Sequence, residues 1–169
     1  MPLMQDGDGG GVVAKSPAMP TNLDPVQQRL AASLYTEAML LADEARAYFD
    51  DMGRGDRERM DALGRVSFSC ESLKVTTRLM HVIAWLLTQR AVEAGEITPR
   101  QALDPSRRLG TAPESDQAVL TTLPRSAQLL VEASVDLYRR VARLDAAQLP
   151  SPPPASPARS MMERLAGAF

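Results

Sequence analysis

The side chains able to do chemistry on their own are few and scattered. His81 is the only histidine and Cys70 the only cysteine. A metal site needs companions at ligand spacing, such as a second His one helical turn away or a His/Glu set, and His81 has none nearby in sequence. It reads as a surface or packed histidine. Cys70 has no neighbouring His to draw off its proton and falls on an apolar face, where a free cysteine behaves as a small hydrophobe. Ser67, Ser69, Ser72, Thr76, Thr77 and Thr88 place many hydroxyls on one stretch, but no G-x-S-x-G turn frames any of them. They read as groups that bond back to the preceding turn or let helices approach closely. The glycines from Gly7 to Gly11 are not followed by Lys-Ser/Thr and follow no strand, so they are not a phosphate loop. No catalytic, metal or cofactor site emerges, and none is expected.

What remains is charge. Glu37, Asp43, Glu44, Asp50 and Asp51 make an acidic flank, and Arg65, Lys74, Arg78 and Arg90 a basic one. Most such flanks are solvated surface with weak i,i+4 pairs. Glu71, Lys74 and Arg78 are spaced three and four apart and are expected to form one exposed ridge for a partner, since Arg carries a planar fork of donors. Arg90 extends that basic face.

These residues are carried by helices. The chain has 169 residues, enough for one domain with a core; 44% are hydrophobic but only 4% aromatic, so the core must be Leu, Val, Ala and Met. That composition favours helices over strands. A net charge of -2 argues against nucleic-acid binding, which needs a basic excess. A single cysteine fits a reducing compartment. The N-terminus lacks a signal-peptide pattern and no apolar run approaches the ~20 residues of a membrane span, so a cytoplasmic protein is expected.

Three amphipathic stretches follow. The first starts at Asp24-Pro25, with Val26, Leu30, Leu34, Ala38, Leu41, Ala45, Tyr48 and Met52 on one face, and stops at Gly53 and Gly55. The second runs from near Asp56 to Ala94. Its face is Met60, Leu63, Val66, Cys70, Leu73, Thr77, Met80, Ala84, Leu87, Ala91 and Ala94, which makes Leu73 and Leu87 core positions. Leu79, Ile83 and Leu86 form a second stripe beside it, so this helix must be contacted on two sides, by two helices of its own chain or by a second subunit. Gly64 is expected to split off a first turn or to bend the helix, and Gly95 to end it. Thr98-Pro99-Arg100-Gln101 has capping-box spacing and opens a short helix ending by Asp104-Pro105. The third long helix runs from Pro124 to near Leu144, with Ala127, Leu130, Ser134, Leu137, Val141 and Leu144 inward.

The expected fold is therefore all-α: a three-helix bundle of long antiparallel helices over residues 23–146, with a short extra helix in the second connection. Residues 1–22, rich in Gly, Asp and Pro, read as a disordered arm. Residues 147–169 read as a Pro-rich flexible tail ending in a short apolar segment. There Ser160 to Glu163 repeats the capping box, and Met161, Met162, Leu165 and Phe169 line one face, the layout of a tethered docking element.

The pattern E-S-x-x-x-T-T-R-L-M from Glu71 to Met80, followed by W-L-L-x-Q-R-A-V from Trp85 to Val92 and Gly95-Glu96, resembles the alphaproteobacterial family of the regulator of CtrA degradation, RcdA. The stretches Tyr35–Phe49 and Leu137–Asp145 support the likeness, which covers about Leu30 to Asp145. The resemblance implies a three-helix bundle, a homodimer with a flexible C-terminal tail, and no enzymatic activity. It also implies an adaptor in ClpXP-dependent proteolysis that helps deliver cell-cycle regulators such as CtrA. Its partners would be other adaptors, the AAA+ protease and protein substrates, with cytoplasmic placement and recruitment to a cell pole. The residues alone also fit a helical scaffolding dimer unrelated to proteolysis.

Overall fold

Three long helices carry the structure, a computed structural model that describes residues 25–149 and residue 161. Helix α1 spans Pro25–Ala47 and continues as a π-helical turn over Tyr48–Met52. Short α2 covers Arg54–Glu58, and α3, the longest, Ala62–Glu93. Short α4 (Pro99–Ala102) and α5 (Gln117–Leu120) lie in the connection to α6, Arg125–Ala147. Among the described residues there is no strand.

The helix ends follow local chemistry. The second stretch breaks at Asp61 rather than at Gly64. The Asp61 carboxylate accepts from the Gly64 N–H at 2.7 Å and caps α3, while Gly64 stays helical. At the far end Gly95 takes φ +73. Its N–H donates to Val92 and that of Glu96 to Ala91, the paired bonds of a Schellman stop. The Thr98–Gln101 capping box is present in both directions. At the end of α1 the Gly53 N–H reaches Tyr48 O at 2.6 Å. A side chain at residue 53 would put a Cβ 2.8 Å from that oxygen, so the π turn needs glycine there. The widened turn buries consecutive Tyr48 and Phe49, which meet Phe68 of α3 with ring centroids 5.1–6.0 Å apart.

The direction of the rods is read from cross-contacts. Tyr35 lies by Arg90 and Tyr48 by Phe68, so α1 and α3 are antiparallel. Arg78 bonds Ser134, Trp85 bonds Asp145 and Gln89 bonds Gln148, so α3 and α6 run parallel. The all-antiparallel arrangement expected from the sequence is corrected here. The long connection, residues 94–124, returns the chain to the starting end before α6 begins.

The core is filled by Leu34, Ala38 and Leu41 of α1, by Phe68, Val75, Leu79, Val82, Trp85 and Leu86 of α3, and by Ala127, Leu130, Val131, Leu137 and Val141 of α6. Burying each large side chain contributes about 1.5–3 kcal/mol. The expected inward face of α6 is the observed one, and that of α1 holds from Leu34 to Tyr48, while Val26, Leu30 and Met52 are exposed. For α3 the expected face is the outer one. Leu63, Val66, Cys70, Leu73, Met80, Ala84 and Leu87 are exposed, Leu73 at 67%, so Leu73 and Leu87 are not core positions. The expected arm, residues 1–22, and most of the tail lie outside the described residues.

Candidate interaction surfaces

Two buried polar clusters fix the connection onto the bundle. In the first, Arg78 is 2% exposed and Glu71 1%. The Arg78 guanidinium donates to Ser134 Oγ at 3.2 Å, Pro113 O at 2.9 Å and Ser115 Oγ at 2.5 Å. The Ser115 hydroxyl in turn donates to Glu71 at 2.5 Å, and Lys74 Nζ reaches the same carboxylate at 2.7 Å. Burial pushes the Arg78 guanidinium down from its ordinary range, while the Glu71 carboxylate acts the other way. A charge pair this deep persists only with its remaining donors satisfied, and the segment around Ser115 supplies those partners.

In the second cluster Asp145 accepts from Trp85 Nε1 at 2.7 Å and from Arg108 at 2.6 and 2.8 Å. Burial pushes the Asp145 carboxyl up, but the hydrogen bonds from Arg108 and Trp85 outweigh it and hold it below the usual carboxylate range. Nearby, Tyr138 donates to Gly110 O at 2.8 Å, and Gly110 lies on the His81 ring, where an added Cβ would come within 2.9 Å. The two clusters and this glycine press the extended segment from Arg108 to Asp116 onto α3 and α6.

The expected ridge of Glu71, Lys74 and Arg78 is therefore corrected. Glu71 and Arg78 face inward because residues 113, 115 and 134, distant in sequence, complete their hydrogen bonds. Lys74 is partly exposed and tied to Glu71. Arg90 is exposed and its guanidinium sits 4.8 Å above the Tyr35 ring. Met161 is exposed; Met162, Leu165 and Phe169 lie outside the described residues. Cys70 is exposed on the outward face of α3, eleven positions and so about 16 Å along the helix from His81. Among the described residues no group of His, Cys, Asp and Glu could hold a metal ion. No helix among them is long and apolar enough to cross a membrane.

The surface that the sequence reading misplaced is the outer face of α3. Leu63, Val66, Cys70, Leu73, Thr77, Met80, Ala84, Leu87, Ala91 and Ala94 alternate in steps of three and four without a break. That is a heptad seam. From Val66 to Leu87 no seam position is charged. A solvated helix normally puts its charges there. The signal that separates the faces is size: Phe68 and Trp85 both lie on the other side, and the bulkiest aromatics belong inside.

Helices, clasps and seam define an all-α three-helix bundle protein of the RcdA type. The chain belongs to the family described as "Protein of unknown function (DUF1465)", whose model matches residues 24–169. It is similar to RcdA from Caulobacter crescentus CB15, with 35% identity and a TM-score of 0.58 to that crystal structure, over 70% of this chain and 90% of that one. Comparison with curated proteins gave no match.

Proposed function

We propose that this chain is a non-enzymatic adaptor in regulated proteolysis. It acts as a homodimer and helps deliver cell-cycle regulators such as CtrA to ClpXP by protein–protein docking in the cytoplasm, with recruitment to a cell pole. The likeness to RcdA over nearly all of that protein's length supports the pathway. The observation that carries the docking mode is the exposed, uncharged heptad face of α3 on a bundle whose Glu71, Arg78 and Asp145 are spent on internal clasps. Such a protein raises the local concentration of a substrate at the protease and needs no bond-making chemistry. Arg90 and the tail residues Met161, Met162, Leu165 and Phe169 are the proposed contacts for adaptors, protease or cargo.

The test is reconstituted degradation with ClpXP, upstream adaptors and candidate substrates. Adding the chain is expected to accelerate turnover of at least one substrate. Unchanged turnover of every substrate, together with no binding to adaptor or protease, would leave the scaffolding alternative.

A further inference from the structure

We infer that the surface groove between α3 and α6 is a binding site for an extended segment of another protein, and that the chain's own strap from Arg108 to Ser115 holds the place of that ligand. This site lies outside the heptad seam and adds a second, separate contact to the proposed function. The strap lies on the bundle as a bound peptide lies in a groove. It runs antiparallel to both helices, from Asp145 past Tyr138 and His81 to Arg78 and Glu71. From Arg108 to Ser115 an extended chain covers about 23 Å, and from Trp85 to Glu71 α3 covers about 21 Å. No residue from Arg108 to Asp116 is buried, yet Glu71, Arg78 and Ser134 in the floor are 2% exposed or less. Among the described residues, no backbone group from Arg108 to Ser115 pairs with another backbone group. Side chains hold its main chain instead: Tyr138 donates to Gly110 O at 2.8 Å and Arg78 to Pro113 O at 2.9 Å. Main-chain hydrogen bonds, with pockets for chosen side chains, are how a protein surface takes an extended peptide.

The floor points the same way. Packed hydrophobes often replace a buried ion pair at no loss of stability, so the fold alone gives no reason for Glu71 and Arg78 to be there. A charged floor that is completed only when a particular segment is seated selects that segment, because any other leaves charges unpaired. The residues that complete it define the ligand. It needs an arginine for Asp145 and, two positions on, a glycine, where a Cβ would stand 2.9 Å from the His81 ring. Three further on it needs a free carbonyl for Arg78, and two after that a hydroxyl to bridge Arg78 and Glu71. Clasps on either side keep any single strap residue from lifting alone. The segment therefore leaves as a unit, and the bonds of Asp145, Arg78 and Glu71 pass to the incoming one.

The probe is a fluorescent synthetic peptide of residues 107–117, added to the full chain. The strap competes with it, so the wild type is expected to bind it weakly. Arg108→Ala with Ser115→Ala in the protein loosens the strap, leaves the floor side chains unchanged and is expected to bind the peptide at least ~10-fold more tightly. Gly110→Ala or Arg108→Ala in the peptide is expected to weaken that binding at least ~10-fold. A peptide that keeps residues 108–110, Pro113 and Ser115 but exchanges Thr111, Ala112 and Glu114 is expected to bind within about threefold, since the recognised groups are unchanged. In the wild-type chain, excess unlabelled peptide is expected to speed hydrogen exchange of the strap amides while those of α3 and α6 keep their protection. This arm decides the matter if the double variant does not fold. Equal affinity of the two proteins for the peptide overturns the inference, and so does loss of binding by the exchanged peptide. Strap amides that exchange only on global unfolding, with or without peptide, overturn it as well. Self-association of the double variant that is absent from the wild type and not reversed by peptide assigns the groove to the strap of a second copy, which also overturns it. None of these readings involves ClpXP, so their failure and the failure of the adaptor reading are told apart.

Discussion

The Trp85 indole N–H donates to the Asp145 carboxylate at 2.7 Å, joining the C-terminal third of α3 to the end of α6. Arg108 of the connection binds the same carboxylate. One acceptor thus fixes three segments at once. Removing the indole donor by Trp85→Phe keeps most of the apolar volume and loses one charge-assisted bond, an expected destabilisation of about 1.5–3 kcal/mol in urea unfolding.

Asp145 also sets an acid limb on stability. Its folded-state pKa is depressed, because the bonds from Arg108 and Trp85 outweigh burial. A depressed carboxylate contributes stability that is present above its unfolded value of about 3.9 and is lost as pH falls through the lower folded value. Urea midpoints measured downward from pH 6 should therefore decline, and Asp145→Asn, with no charge to lose, should show a shallower decline from a lower starting point. Parallel acid limbs for the two proteins would mean that Asp145 titrates as an ordinary carboxyl.

The Glu71–Arg78 pair makes a sharper case. Arg78→Ala strands a buried carboxylate with Lys74 as its remaining cation, and a loss of about 3–5 kcal/mol is expected. Replacing both residues, as in Glu71→Gln with Arg78→Met, should restore part of that loss. A double-mutant cycle reads the coupling, and additive effects of the two changes would show that the pair does not act as a unit.

How much of this was visible in the residue order differs by helix. Helix α6 offers one apolar face, and Ala127, Leu130, Ser134, Leu137 and Val141 are buried as their spacing predicts. Helix α3 offers two apolar stripes of the same period, and periodicity cannot rank them. The deciding interactions come from far along the chain: Ser115 and Pro113 complete the hydrogen bonds of Glu71 and Arg78, and Asp145 those of Trp85. Without those partners, two charged residues at helical spacing look like surface. The parallel run of α3 and α6 was hidden for the same reason, since it depends on where the segment from Arg108 to Asp116 is held. The break before α3 rested on a smaller signal, the Asp61 side chain reaching the N–H three residues on.

The two faces of α3 should respond oppositely to substitution. Leu73→Asp changes an exposed position and should leave the helical content of the bundle intact. Phe68→Ala removes a ring packed against Tyr48 and Phe49 and should cost about 3–5 kcal/mol. Thermal melts followed by circular dichroism check both. An unfolded Leu73→Asp protein alongside a well-folded Phe68→Ala protein would invert the assignment of the faces.

Gly110 offers a test of how tightly the connection is seated. A Cβ at this position would stand 2.9 Å from three atoms of the His81 ring, closer than such atoms approach one another. The backbone cannot simply lift away, because the Gly110 carbonyl is held by Tyr138 and the neighbouring Leu109 and Arg108 are anchored on Asp145. Gly110→Ala should therefore destabilise the bundle by about 1–3 kcal/mol, the usual range for overpacking. The three nearest atoms all belong to the His81 ring, so His81→Ala should relieve the clash: the double variant Gly110→Ala with His81→Ala is expected to be more stable than the sum of its single changes allows. Chemical denaturation of the four proteins measures that interaction. Strict additivity would show that the connection yields at Gly110 instead of pressing on α3.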